Sequence, residues 1–221
     1  MKIHDLSQTN SILNHFLYEI REKNIQKDRM KFRRNIERIG EILSYEMSKT
    51  LDFAPQPFYT PLSSTSYNQF SNAIVVCSIL RAGVPLHNGI LNYFDAADSA
   101  FISASRNKTE KPESEQDFDI AIDYLSSPSL EHKTLVIADP MLATGLSMLH
   151  VLKALEHLGG KPKCIHVLSV IGAQAGIDVI SDYLPEQSHL WIGCVDERLD
   201  EKGYIVPGLG DAGDLAFGEK L

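Results

Sequence analysis

Four stretches of this chain are apolar at nearly every position: "NAIVVCSIL" (72–80), "KTLVIAD" (133–139), "KCIHVLSVIGA" (163–173) and "HLWIGCVD" (189–196). A strand that is apolar on both faces has to be covered on both faces, and that arrangement belongs to parallel sheets lying between helical layers. The intervening segments supply the cover. "VPLHNGILNYF" (84–94), "SMLHVLKALEHLGG" (147–160) and "AGIDVISDYL" (175–184) have helical spacing, and "SAFISAS" (99–105) reads as a further strand. This alternation predicts an α/β fold with an open, mainly parallel twisted sheet flanked by helices.

The first fifty residues read differently. Ile12, Leu13, Phe16, Leu17 and Ile20 fall on one helical face, and so do Phe32, Ile36, Ile39, Leu43 and Met47. Arg33, Arg34, Glu37 and Arg38 fill the opposite, solvated side. Residues 1–50 are therefore expected to form a helical N-terminal segment. From 53 to 70 the text turns to "FAPQPFYTPLSSTSYNQF", which suits loop or irregular β structure and a dimer arm reaching a neighbour. Residues 72–196 hold the core sheet, interrupted by the polar loop "RNKTEKPESEQDF" (106–118), a candidate lid. Residues 197–221 follow the last strand, and the whole reads as a single domain.

At 221 residues the chain can bury a full core. Its formal charge of −8 supplies no general attraction to a polyanion, which argues against nucleic acid as a partner. A phosphate ligand would need a few placed groups. Cys77, Cys164 and Cys194 each lie in an apolar run, an odd number without metal-ligand spacing, which points to buried thiols in a reducing compartment. The N-terminus lacks the pattern of a signal peptide. No apolar run nears the ~20 residues that cross a bilayer, so a cytoplasmic protein without membrane contact is expected.

The stretch that carries chemistry is "VIADPMLATGLSMLHVL" (136–152), where a buried strand ends in Asp139 and Pro140. Thr144, Gly145 and Ser147 then lead into a helix. Ligands of an open parallel sheet gather beyond the carboxyl ends of its strands. A helix N-terminus there offers free N–H groups and the positive end of a dipole to an anion. Hydroxyls add donors and a glycine allows close approach. Ser147 as a mere cap and Gly145 as a mere turn remain the bland alternative. Asp139 resists that alternative, because a carboxylate would repel a phosphate but suits sugar hydroxyls or a cation.

"DPMLATGLS" resembles the 5-phosphoribosyl-1-pyrophosphate (PRPP) loop of phosphoribosyltransferases, in the wording of the uracil phosphoribosyltransferase family. "ILRAG" (79–83) is similar to that family's first arginine loop, and "GYIVPGLGDAGD" (203–214) to its uracil-binding segment. The resemblance runs along the whole chain and implies a phosphoribosyltransferase-like fold with a C-terminal base-binding hood. It implies a glycosyl transfer in pyrimidine salvage: uracil and PRPP give UMP and pyrophosphate. Carried over, Arg81, Arg106 and Asp139 are the catalytic residues. PRPP would be held by these three, by Pro140, Met141, Leu142, Ala143, Thr144, Gly145, Leu146 and Ser147, and by Asp211. Uracil would meet Tyr204, Ile205, Gly210, Asp211 and Ala212. The resemblance further implies Mg²⁺ as cofactor, held mostly by the ligand with Asp211 as its protein contact. It implies a homodimer or higher homo-oligomer, and a GTP effector in some members.

The residue chemistry agrees. Arginine presents a rigid fork matched to phosphate oxygens. Glycines interleaved with Tyr204, Ile205, Val206 and Leu209 give a planar base apolar walls and open backbone groups. The chain departs from the family at Leu146, where a second glycine is usual, and at Ser105, Lys108 and Leu215. Leucine keeps the N–H that binds an anion but disfavours positive φ. The rival readings are a catalytically weak nucleotide-sensing or RNA-binding regulator on the same fold, and a transferase for another pyrimidine-like base.

Overall fold

The protein is described from a computed structural model that covers residues 1–106 and 120–220. Strand β1 (Lys2–Asp5) is followed by helices α1 (Ile12–Arg21) and α2 (Arg29–Ser48) and by strands β2 (Phe53–Tyr59) and β3 (Ser64–Phe70). The alternating part runs β4 (Ile74–Ile79), α3 (Val84–Leu91), β5 (Asp98–Arg106), β6 (Ile120–Ser126), β7 (Thr134–Ala138) and β8 (Met141–Leu142). It continues with α4 (Leu146–Gly159), β9 (Cys164–Ala173), α5 (Gln174–Tyr183) and β10 (His189–Asp196). The short strands β11 (Arg198–Leu199) and β12 (Ile205–Val206) and helix α6 (Ala212–Phe217) come last.

The main sheet has the order β1-β10-β9-β7-β4-β5-β6, with β8 beside β9. Every pair along it is parallel except β5–β6. The expected open, mainly parallel α/β sheet is therefore the one observed. Strands β4 and β7 are buried at every position, as their unbroken apolar text requires. One face packs on α1, α2 and α3 through Leu13, Ile20, Phe32, Ile36, Leu43 and Leu86. The other packs on α4 and α5 through Met148, Val151, Leu155, Ile177 and Ile180. From β4 the chain moves outward to β5, then returns to β7 on the other side of β4 and moves outward again through β9 and β10. The carboxyl ends of β4 and β7 thus flank the switch point where an open sheet binds its ligand.

Three features differ from the reading of the sequence. The N-terminal segment opens with a strand rather than a helix, because Lys2 to Asp5 extend the sheet edge in parallel register with His189 to Ile192. The His4 ring stacks 3.7 Å from that of Trp191 and anchors this short polar strand. Strand β6 pairs antiparallel to β5. Residues 53–70, expected as loop or irregular β structure, form a regular hairpin paired from Phe53↔Phe70 to Tyr59↔Ser64 and exposed throughout. Pro55 and Pro57 are tolerated because two-stranded ribbons have only edge strands. Residues 107–119, which hold most of the candidate lid, lie outside the described residues. The cysteines are all free; Cys77 is buried as expected, whereas Cys164 and Cys194 are partly exposed.

Candidate active site

Arg81 lies two residues beyond the end of β4, and Asp139 directly beyond the end of β7. These strands pair in parallel with Ser78 opposite Ala138, so both side chains emerge at the same rim. The Leu80–Arg81 peptide bond is cis. Asp139 is partly buried, and burial pushes its carboxyl up to about 7 against the weaker opposing pull of the Met141 N–H. That N–H, 3.4 Å from Oδ1, is its one partner among the described residues.

The loop from 139 to 147 turns into α4 through Gly145, which has φ +77°. A Cβ there would stand 2.7 Å from the Gly176 carbonyl oxygen, so both the left-handed backbone and the close approach of α5 require glycine. Leu146, which replaces a glycine of the family pattern, is the first residue of α4 and is not among the residues with positive φ. The unusual conformation falls entirely on Gly145, and leucine fits. The Thr144 hydroxyl accepts from the Leu146 N–H at 3.4 Å. The N-cap residue Gly145 has no side chain to cap α4, so apart from the Leu146 N–H its first-turn N–H groups are left for the loop or a ligand.

The C-terminal segment folds back over this rim and is held by the N-terminal helices. Arg21 makes a forked contact with Asp196 at the end of β10, with Nη2 to Oδ1 at 2.9 Å. The other Asp196 oxygen accepts the Gly208 N–H at 3.0 Å. Gln26 donates to the Leu209 carbonyl at 3.2 Å and Arg33 to the Ala216 carbonyl at 2.6 Å. Asp211 caps α6 by accepting from the Asp214 N–H at 2.9 Å, and its other oxygen has no hydrogen bond among the described residues. Arg81 closes the arrangement. It donates from Nη2 to Asp214 Oδ1 at 2.9 Å and from Nη1 to the Gly218 carbonyl at 3.2 Å.

Between the two segments lies a pocket of about 450 Å³. Of the residues singled out in the sequence, Arg81, Asp139, Thr144, Gly145 and Ser147 line it, with Met141 to Ala143 between them. Tyr204, Ile205, Gly210 and Asp211 line the facing wall. Pro140, Leu146 and Ala212 do not. Pro140 is buried with its carbonyl accepting from Val170 and Ile171, and Ala212 is packed in the core at the start of α6. Arg106 ends β5, with its backbone opposite Ile120. Leu209, expected as apolar wall, lines the pocket too, whereas the reading of the sequence missed Ile171, which adds apolar wall, and Lys202 and Lys220, which add charge. Lys202 immediately precedes the glycine-rich motif, a signal that could have exposed it. Among the described residues no histidine lines the pocket. His87 and His166 are buried, and burial lowers them to about 4 and about 3.

Comparison with known proteins identifies the family. The family model for uracil phosphoribosyltransferase matches residues 7–219. A uracil phosphoribosyltransferase of Porphyromonas gingivalis is 47% identical over 221 residues, covering 100% of both chains. One from Thermococcus gammatolerans is 38% identical over 208 residues, 93% of this chain and 88% of that one. Among solved structures, the AQ2163 protein from Aquifex aeolicus superimposes with a TM-score of 0.84 at 30% identity, covering 98% of each chain. A hypoxanthine phosphoribosyltransferase from Staphylococcus aureus shares the fold, with a TM-score of 0.50 at 14% identity over 79% of this chain and 83% of that one. With a rim that offers a carboxylate, an arginine and a helix N-terminus to one pocket, and with these relatives, the chain belongs to the uracil phosphoribosyltransferase family.

Proposed function

We propose that this protein transfers the 5-phosphoribosyl group of PRPP to uracil, giving UMP and pyrophosphate. The observation that carries the reading is the convergence of the 139–147 turn and the 204–211 segment on one pocket. The two are suited to opposite ends of a nucleotide. The α4 N-terminus with Thr144 and Ser147 suits the 5-phosphate. Backbone groups of Ile205, Gly210 and Asp211 suit the base, with Tyr204, Leu209 and Ile171 as walls. A base presenting the wrong donors would leave a buried backbone group unpaired, at about 1–3 kcal/mol.

In the reaction N1 of uracil bonds to the anomeric carbon, the bond from that carbon to pyrophosphate breaks with its electron pair leaving on the pyrophosphate oxygen, and the N1 proton is released to water. Positive charge grows on the ribose on the way. Asp139, accepting from the ribose hydroxyls, faces that charge, while Arg81 and Arg106 neutralise the departing pyrophosphate. Such preorganised groups act by position and electrostatics. The donor set fits Mg²⁺: the wall offers the separate carboxylates of Asp139 and Asp211, and among the described residues no cluster of three ligands exists. Mg²⁺ is usually held by one or two carboxylates plus substrate phosphates, here with Asp211 as the protein contact. When bound it adds positive charge beside the leaving group.

The exposed β2–β3 hairpin carries Phe58, Tyr59, Leu62 and Tyr67 with no cover, which supports its service as an arm between two copies of the chain. The three free cysteines suit a reducing, cytoplasmic setting, and among the described residues no helix is long and apolar enough to cross a membrane. GTP as an effector rests on the family resemblance and is read by adding it to the assay. The test of the reaction itself is UMP formation from PRPP and Mg²⁺ with uracil, cytosine and hypoxanthine in parallel. Uracil alone should turn over. Preference for either other base would overturn the assignment.

A further inference from the structure

PRPP brings a 5-phosphate and a pyrophosphate to the pocket, several negative charges in all. The described wall meets them with the carboxylates of Asp139 and Asp211 and with Arg81, whose guanidinium already faces Asp214 at 2.9 Å and the Gly218 carbonyl at 3.2 Å. Two further cations line the pocket, Lys202 and Lys220. Neither ammonium has an ion pair or hydrogen bond among the described residues. In a chain with a net charge of −8, two unpartnered lysines on the wall of an anion pocket are the positive charge left over for a ligand.

Their places in the fold divide the ligand between them. Lys202 sits on the turn between β11 and β12. The Asp200 carboxylate accepts from the Lys202 N–H at 2.9 Å and the Tyr204 N–H at 2.8 Å, and the Asp200 carbonyl accepts from Gly203 at 3.0 Å. Gly203 has φ +81°, and a Cβ built on it would lie 3.6 Å from the Thr144 methyl. The turn therefore sets Gly203, the neighbour of Lys202, beside Thr144, and both Lys202 and Thr144 line the pocket. Lys220 stands two residues beyond Gly218, whose carbonyl is bonded to Arg81, which fixes it on the arginine side.

We infer that Lys202 and Lys220 are substrate-binding residues, Lys202 for the 5-phosphate beside Thr144 and Lys220 for the pyrophosphate beside Arg81. This rests on the PRPP reading above and extends it to two residues outside the phosphate loop and the arginine loop. A lysine suits the task, being a solvated point charge with three donors on a flexible stem that closes on an anion when it arrives. The hood then binds the sugar phosphate as well as the base.

Two partial ligands separate the ends, since UMP has the 5-phosphate without pyrophosphate and pyrophosphate is the converse. Titration calorimetry with UMP and with magnesium pyrophosphate is run on the wild type, Lys202→Gln and Lys220→Gln. Both side chains are exposed, and the melting temperature of each variant is checked against the wild type. Loss of one charge-assisted contact corresponds to about a tenfold change in Kd. Lys202→Gln should weaken UMP about tenfold and leave pyrophosphate within about twofold, and Lys220→Gln should do the reverse. The inference is overturned if either variant binds both ligands as the wild type does, or weakens both alike. A wild type that binds neither UMP nor pyrophosphate would instead overturn the PRPP reading, and the inference with it.

Discussion

The Arg81 guanidinium and the Asp214 carboxylate lie 2.9 Å apart, Nη2 to Oδ1, across 133 positions of sequence, and they tie the end of β4 to the hood. Both side chains are more than a third exposed, so the pair itself adds at most about 1 kcal/mol to stability. Its consequence is orientation. With one edge of the fork held by Asp214 and Gly218, the remaining N–H groups of Arg81 are fixed relative to the pocket. Arg81→Ala should cost on the order of 10²–10³ in kcat/KM for PRPP. Asp214→Ala should cost about tenfold in the native background and almost nothing in the Arg81→Ala background. Additive losses in that cycle would show that Asp214 acts only on α6.

In its proposed role, Asp139 should make the reaction acid-sensitive. Its carboxyl sits at about 7 because burial penalises the charge, and the ionised form is the one that accepts from ribose hydroxyls. In the free enzyme kcat/KM for PRPP should fall about tenfold per pH unit below that value. Asp139→Asn should leave a low residual rate without this inflection. An unchanged inflection in the variant would assign it elsewhere.

The same burial has a cost in stability. The folded carboxyl is raised above its unfolded value, so stability falls as pH climbs from the ordinary carboxylate range to about 7 and stays reduced above it. Asp139→Asn should therefore melt higher than the wild type at pH 8, with a smaller gain at pH 4. Equal melting shifts at the two pH values would contradict the raised carboxyl.

Gly145→Ala places a Cβ 2.7 Å from the Gly176 carbonyl on a backbone with φ +77°. A loss of about 1–3 kcal/mol in denaturant unfolding is expected, together with a raised KM for PRPP and little change in KM for uracil. A variant as stable as the wild type would mean that the loop takes another path.

Asp196 supports the hood from below, gripping Arg21 and the Gly208 N–H at once. Asp196→Ala strands a partly buried guanidinium and a buried amide, at roughly 3 kcal/mol. Urea unfolding measures this, and KM for uracil should rise more than KM for PRPP. For the arm, Phe58→Ser combined with Tyr67→Ser should shift the sedimentation of the protein from dimer to monomer. A monomeric wild type would remove that role.

The sheet was legible because β4, β7, β9 and β10 are short, nearly unbroken apolar runs that alternate with helical spacing, the pattern of a parallel sheet covered on both faces. Strand β1 was not, since "KIHD" becomes a strand only through its register with β10 and the stacking of His4 on Trp191. The hairpin escaped because its exposed residues carry no core periodicity, only Pro, Ser and aromatics. The 139–147 turn was legible in local order, strand to Asp139 to Gly145 to helix. The partners of Arg81 and Asp196 did not, because Asp214 and Arg21 stand 133 and 175 positions away and only the closed fold brings them close.

The most direct measurement is a crystal structure with UMP bound. Its phosphate should accept hydrogen bonds from the backbone and hydroxyls of Thr144 to Ser147 while its uracil lies against Ile205 and Gly210. Finding UMP outside this pocket, or bound within it by only one of these two walls, would contradict the account.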